Sequence, residues 1–466
     1  MGERKIGFLK VEGSQILGDN GQSVRLMGFN VGEWLNMEGF ITGFPGTESG
    51  LRAAIKNELG EEKAHVFFEG MLNNFVTESD VRHIASLGAT VIRVPFNYRH
   101  FEDDSLPQRI KEESFTYLDR IVNWCATHKV YVILDLHAAQ GWQNPDWHSD
   151  NPRRAVLVWT DETYVDRVTN LWIEIARHYK DERTVAGFNI LNEPVSPTPE
   201  GLNRVYRKVV EGIRKVDSDH LIFLEGNLFS TCFDELEPPF DRNLVYSCHN
   251  YTTPGLSKGL YPGKMNGIWY DINKLRQDFK NRRAYMSEHN VPNWVGEFGS
   301  IYWNNRHDRC RLRAVDDLLT VIDNYRDHWT IWTYKDIGMM GTVYVNPSSA
   351  WIKRIRRTNV IKKKLGLDGW EPFAQESIFM RTTVKKIVDG VRRATKNAEL
   401  PYKQLKLTLN NTLSVVVLAD FLLPFYASQF KDMSSDEIEH MMQSFRWEKC
   451  VRRDGLEQVL RNHLGP

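Results

Sequence analysis

Eight short apolar runs alternate with segments of helical pattern, and this alternation constrains the chain more than any other feature. The runs are Arg25–Asn30, Ala89–Phe96, Val130–His137, Val185–Asn192, Leu221–Asn227, Leu244–Tyr251, Trp294–Gly299 and Trp329–Asp336. Near-continuous apolar strands require burial on both faces, as in a parallel sheet covered by helices. Between them, Thr77 and Asp80 read as a capping box opening a helix that runs to Gly88. Helical patterns follow over Glu113–His128, Asp161–Lys180, Glu200–Val216, Asp271–His289 and Leu312–Tyr325. Eightfold strand–helix alternation predicts the α/β class and a (β/α)8 TIM barrel. A doubly wound open sheet is the competing architecture. No GxGxxG follows the first run, which counts against a dinucleotide-binding version of it.

A barrel of roughly 250 to 400 residues leaves room for an appendage in a chain of 466. The pattern changes near Trp351, so residues 1–350 are expected to form the barrel and 351–466 a helical C-terminal extension. Basic helical segments such as Trp351–Lys364 replace strand signals there. Leu413–Phe430 is apolar but carries Asp420 and Pro424, and a membrane span needs about 20 clean apolar residues. A buried helix is therefore expected, with no transmembrane segment, and contact with a membrane surface is the weaker alternative. Asp436–Cys450 and Glu457–Leu464 read as amphipathic helices.

Lys plus Arg equals Asp plus Glu at 60 each, so no net field draws in nucleic acid or an anionic polymer. The five cysteines lie far apart, with no CxxC pair and no zinc-type spacing. Free thiols in a reducing compartment are the expectation. The N-terminus MGERKIGFLKVEGSQ lacks an apolar stretch of signal-peptide type, so a cytoplasmic location is expected.

Strand after strand ends in a chemically able side chain: Arg93, His137, Asn192 and Glu193, Glu225, His249 and Tyr251, Glu297, Trp332. In a barrel the C-terminal strand ends face one common site. Any one of these residues could be an ordinary loop carboxylate or a satisfied interior histidine; their shared placement argues otherwise. Cleaving a glycosidic bond needs a proton for the leaving oxygen and negative charge against an oxocarbenium-like transition state. Two carboxyl groups roughly 5 to 5.5 Å apart supply both in retaining enzymes. Glu193, in Asn192-Glu193-Pro194, is the candidate acid/base, a role that calls for a raised pKa. Glu297, in Val-Gly-Glu-Phe-Gly, is the candidate nucleophile, with Arg93 the natural partner to keep it ionised. Neither a metal nor a cofactor is called for by this chemistry.

These pieces resemble glycoside hydrolase family 5. Those that match are Arg93 in RVPFNY, His137 in DLH, LNEP with Asn192 and Glu193, His249 and Tyr251 in HNY, Glu297 in GEFG and Trp332 in WTYKD, spanning about Gly13 to Val345. The resemblance implies that Glu193 is the acid/base and Glu297 the nucleophile, and that Arg93 and Tyr251 hold Glu297. It further implies that His137, Asn192 and His249 line the sugar and that Trp332 is the platform beneath it.

The loops suggest the substrate. Trp142, Gln143, Asn144 and Trp147, after the third run, are candidates for neighbouring sugar subsites, and Glu33 and Trp34 for another wall. GFNVGEWLNMEGFIT and DLHAAQGWQN are most similar to the family's β-1,3-glucanase and β-glucosidase branches. Long loops would close one end of the groove and favour exo attack or short oligosaccharides. The expected partner is a carbohydrate, a β-glucan or β-gluco-oligosaccharide. A glycolipid of the glucosylceramide type or a β-mannoside is the alternative, and the C-terminal helices are a candidate for self-association. A non-hydrolytic carbohydrate-binding barrel expects a missing carboxylate, and both are present. A metal-dependent hydrolase expects an HxH pair on the first strand, which carries none.

Overall fold

The structure, a computed structural model, describes residues 6–251, 260–265, 267–302, 305–367 and 377–465. All eight expected strands form, as β1 (Met27–Asn30), β2 (Val91–Asn97), β3 (Tyr131–Ala138), β4 (Val185–Asn189), β5 (Leu221–Glu225), β6 (Leu244–His249), β7 (Asn293–Glu297) and β8 (His328–Ile331). Every pairing is parallel, and β8 returns to β1 to close the barrel. Inward side chains of alternate residues, among them Val91, Tyr131, Ile133, Phe223 and Trp294, pack into a central cluster. Leu9 and Ile16 of an antiparallel hairpin (Leu9–Glu12, Gln15–Gly18) join this cluster and plug one end of the barrel. The other end carries the polar strand termini.

The flanking helices follow their sequence signals. Thr77 and Asp80 make both halves of the capping box at the start of Glu78–Ser86. The Asp161 and Thr198 side chains accept from the N–H groups of Thr163 and Gly201 and so cap Glu162–Tyr179 and Pro199–Arg214. Glu48–Asn74, between β1 and β2, was not anticipated. Gly60 sits in its middle at φ 78°, which breaks the helical geometry and masks the period. Its apolar residues face the C-terminal helices as well as the barrel, so no single stripe marks it.

The region beyond residue 350 is helical but does not have a core of its own throughout. Ala350–Leu365 places Trp351 in the main core, where its indole donates to the Thr42 carbonyl at 2.9 Å. Ile438, Met442, Phe445, Leu456 and Leu460 are buried in that same core. Cys450–Arg452 pairs antiparallel with Val343–Val345 just after β8. The Lys335 ammonium ties the two parts together, 2.5 Å from Asp80 and bonded to the carbonyls of Phe75 and Phe445. Among the described residues, only the helix Ile378–Ala394 and its antiparallel neighbour, the first half of Tyr402–Phe430, stand on a small separate cluster of Leu367, Met380 and Val384.

Candidate active site

Arg93 organises the polar end of the barrel. Its side chain is fully buried in the middle of β2, so its donors must find partners inside the protein. The guanidinium bonds Glu297 Oε1 at 2.6 Å, Asn192 Oδ1 at 2.7 Å, Asn189 Oδ1 at 3.0 Å and Asn30 Oδ1 at 3.1 Å. Asp135 and Glu225 lie 3.1 and 3.2 Å from the same fork. Residues from β1, β3, β4, β5 and β7 and from the turn after β4 therefore converge on one cation of β2. Burial disfavours that cation, but three carboxylates outweigh it and push the Arg93 pKa up.

Glu297, at the end of β7, accepts a second bond from the Tyr251 hydroxyl at 3.0 Å. Gly296 beside it is required by packing. A Cβ there would lie 2.6 Å from Ser247 Oγ and 3.1 Å from the His249 ring. The flanking glycine thus makes room for a side chain of the site.

Glu193 leaves β4 with φ 47°, a left-handed conformation uncommon for a glutamate. The surroundings enforce it. Its N–H donates to Glu225 Oε2 at 2.7 Å, and its carbonyl accepts from Asn144 at 3.0 Å. Its carboxyl lies between two histidines, 2.8 Å from His249 Nδ1 and 3.1 Å from His148 Nε2. Oxygens of Glu193 and Glu297 and a nitrogen of His249 all fall within 4.8 Å of one another. The two carboxylates lie 104 positions apart in sequence, yet the barrel brings their oxygens within 4.8 Å of each other. Their side chains keep 14% and 7% of their exposure, so neither is wholly sealed from the surface.

His137 bridges two acids, with Nδ1 2.7 Å from Asp135 and Nε2 3.1 Å from Glu38. Burial works against its cation, but these carboxylates outweigh that and push its pKa up to about 10. Its ring stacks on Trp332 with centroids 5.3 Å apart and planes at 6°. His249 is likewise driven upward by Glu225, Glu297 and Glu193 against its burial. Burial alone would raise Glu193, but the hydrogen bonds from His148 and His249 overcome it and hold the carboxyl below its ordinary range. The sequence reading called for a raised value.

The structure brings together Arg93, His137, Asn192, Glu193, His249, Tyr251, Glu297 and Trp332. It does not bring Trp34. That ring is in the core beneath Glu48–Asn74, donating to the Leu72 carbonyl at 2.8 Å and packed edge-on against Tyr117. Glu33 is also interior to its loop, where its carboxylate takes the Glu38 N–H and the Thr42 hydroxyl. Trp142 donates to the Asp150 carbonyl at 2.9 Å and braces its own loop. Gln143 bonds the carbonyls of His137 and Asn192, and Asn144 bonds that of Glu193, so both amides set the backbone rather than offer free groups to a sugar. Trp147 packs edge-on against Phe40 and His148. Glu38 and His148 reach the site without having been anticipated. Each lies in a long loop with no periodicity to place it, although Glu38 stands five residues past the misassigned Glu33.

By distance alone, Glu193, His249 and Glu297 form the one candidate metal-binding group among the described residues. The Arg93 guanidinium bonded to Glu297 and the cationic tendency of His249 place positive charge where a metal ion would sit, which disfavours one.

A family description, cellulase (glycosyl hydrolase family 5), matches residues 53–338. A β-xylosidase of Phanerodontia chrysosporium is 35% identical over 98% of this chain and 98% of its own length. A probable glucan 1,3-β-glucosidase A of Neosartorya fischeri is 27% identical over 67% of this chain and 83% of its own. Among solved structures, one described as a glycoside hydrolase superposes with a TM-score of 0.52 at 19% identity, covering 68% of this chain and 90% of that one. At that identity the last likeness speaks for the fold alone.

Proposed function

This chain belongs to glycosyl hydrolase family 5, and from that premise we propose that it is a retaining β-glycosidase cleaving β-glucosidic bonds of β-glucans or β-gluco-oligosaccharides. The observation that carries this reading is the Glu193–Glu297 pair, with carboxylate oxygens within 4.8 Å and unlike surroundings. Glu297 is gripped by a guanidinium and a phenol, which suits a group that attacks as an anion. Glu193 faces two imidazoles that can supply and take back a proton.

In the first step Glu297 attacks the anomeric carbon while Glu193 protonates the departing oxygen, giving a glycosyl ester on Glu297. In the second, Glu193 takes a proton from water, the oxygen attacks the same carbon, and Glu297 leaves as carboxylate. An entering sugar that displaces the His148 contact would remove one of the bonds that keep Glu193 ionised. The donor role and the lowered pKa of the empty site are then compatible. Asn192, with its carbonyl oxygen fixed by Arg93, has its amide beside His137 at 3.3 Å and is the candidate donor to the sugar 2-hydroxyl.

Glu38 from the β1 loop and His148 from the β3 loop close two sides of the site, which favours exo attack or short substrates. Random internal cuts in a product profile on long glucans would overturn that. The β-xylosidase relative, covering nearly the whole of both chains, favours a second reading in which the sugar is xylose. The kcat/KM values on aryl β-glucoside, xyloside, mannoside and cellobioside decide between them. Proton NMR of early product should show the β-anomer first, and Glu297→Ala should lose turnover and regain it with azide as the α-glycosyl azide. An α-anomer first would end the retaining mechanism. A reducing compartment is the proposed setting, supported by five cysteines that all stand as free thiols.

A further inference from the structure

We propose that the helical hairpin formed by Ile378–Ala394 and the first half of Tyr402–Phe430 docks this protein on an anionic lipid surface. The chain is neutral overall, but its charge is unevenly placed. Residues 351–410 carry fifteen Lys and Arg against five Asp and Glu, leaving the remainder with the opposite excess. Arg381, Lys385, Lys386, Arg392 and Arg393 on the first helix, and Lys403 and Lys406 on the second, are all exposed.

The same hairpin and the turn of helix that continues it hold most of the large apolar side chains exposed on the described surface. Phe421 is 79% and Ile378 74% exposed, with Phe379, Ile387, Leu407 and Val417 also outside. Beneath them lies the small cluster around Met380 and Val384, separate from the barrel core. Exposed aliphatic and phenyl groups beside lysines and arginines are what an interface of acyl chains and anionic headgroups takes up.

Other occupants fit less well. A second copy would set one strongly basic face against another. A nucleic acid would satisfy the cations but leave Ile378, Ile387 and Val417 with no apolar partner. A spanning helix is disfavoured by what Tyr402–Phe430 already does. It is long and apolar enough to cross, but Ala419, Leu423, Tyr426 and Phe430 are buried against the protein, and it carries Lys403, Lys406 and Asp420. Its outward side is therefore left to lie on a surface.

The placement also relates to the active site. Leu423 and Asp420 pack against Gly46, in the loop that carries Glu38, and against Gly50 in the first turn of the helix that follows it. Lys362, at the base of the region, bonds the carbonyls of Gly39 and Phe44 in that loop. The docking surface and the mouth of the barrel are thus joined through one connection. The proposal does not depend on which sugar the barrel accepts.

The full chain should be tested by co-sedimentation with phosphatidylcholine vesicles and with vesicles containing about a third phosphatidylserine. Binding is expected to the anionic vesicles, falling with salt, and not to the neutral ones. Lys385→Glu with Lys386→Glu should weaken binding at least about tenfold, given roughly fivefold per basic residue near the surface. Phe421→Ser with Ile378→Ser should weaken it at unchanged charge. All four positions are exposed, so turnover of a soluble aryl glycoside should stay at wild-type level and report intact folding. No sedimentation with either vesicle overturns the proposal. So does anionic binding that the apolar pair does not alter and that short duplex DNA competes away, which would mark a nucleic-acid face. Apolar variants that change only the oligomeric state seen by ultracentrifugation would instead mark a self-association face.

Discussion

His249 Nδ1 stands 2.8 Å from Glu193 Oε1, and the same nitrogen is 3.6 Å from Glu297 Oε2. One imidazole thus reports the charge of both carboxyls, and it cannot be replaced without disturbing both. Of these two carboxyls His148 meets only Glu193, and it offers the cleaner test. Its bond helps hold Glu193 below the ordinary carboxyl range, so His148→Ala should let the Glu193 pKa rise. A donor that keeps its proton to higher pH moves the basic limb of the kcat/KM profile upward, by about one unit for one lost charged partner. A profile that keeps its limbs while activity falls evenly at all pH would show His148 to be packing only.

Glu193→Ala removes the proton donor and leaves Glu297 in place. Substrates with leaving groups that depart as stable phenolates should lose little in the first step. Alkyl glycosides and oligosaccharides should lose on the order of 10² to 10⁴ in kcat/KM. Equal losses across a leaving-group series would contradict the donor assignment.

Arg93→Lys keeps the charge and loses the fork. Five hydrogen bonds, to Glu297, Asn192, Asn189, Asn30 and Glu225, depend on that planar shape, and an ammonium cannot reach them together. The oxygens it abandons are buried, and breaking a buried ionic network from one side costs about 3 to 5 kcal/mol. Urea unfolding should show a lower midpoint with an unchanged slope, and turnover should fall even where the variant remains folded. A variant with wild-type midpoint and activity would mean that the cation matters and its geometry does not.

How far the sequence spoke depended on whether a local pattern existed. The barrel was legible because a strand buried on both faces leaves a continuous apolar run, and eight such runs survive any error at their ends. The site was legible because the barrel converts strand ends into neighbours, so Glu193 and Glu297 meet without any local signal linking them. Trp34 and Glu33 misled because a loop has no periodicity to say which side faces inward. Glu33 turned back to bond its own loop at Glu38 and Thr42, and Glu38 took the place beside His137. His148 was silent for the same reason. The pKa of Glu193 could not be read from a requirement of its role, because His249 at the end of β6 and His148 in the β3 loop hold it down together.

The C-terminal region shows a further difference between pattern and packing. The change of composition near Trp351 suggests a detachable extension, and truncation after Lys364 would be the natural probe of its role. The structure predicts that such a truncation fails to fold. It removes Phe430, Ile438, Met441, Met442, Phe445, Leu456, Leu460 and Leu464, all buried in the main core, and the strand that pairs with Val343–Val345. At about 1.5 to 3 kcal/mol for each buried side chain, the loss exceeds the roughly 5 to 15 kcal/mol that holds a whole domain folded. Lys335 would also keep its charge in the interior after losing the Phe445 carbonyl. The truncated chain should appear in the insoluble fraction, or as soluble material without a cooperative thermal transition. Excising only residues 377–411 and rejoining the ends with a short Gly/Ser linker removes the hairpin and spares those contacts, so that protein should melt cooperatively and retain turnover of soluble glycosides. A truncation after Lys364 that melts cooperatively and turns over substrate would show that the barrel core closes without the last hundred residues.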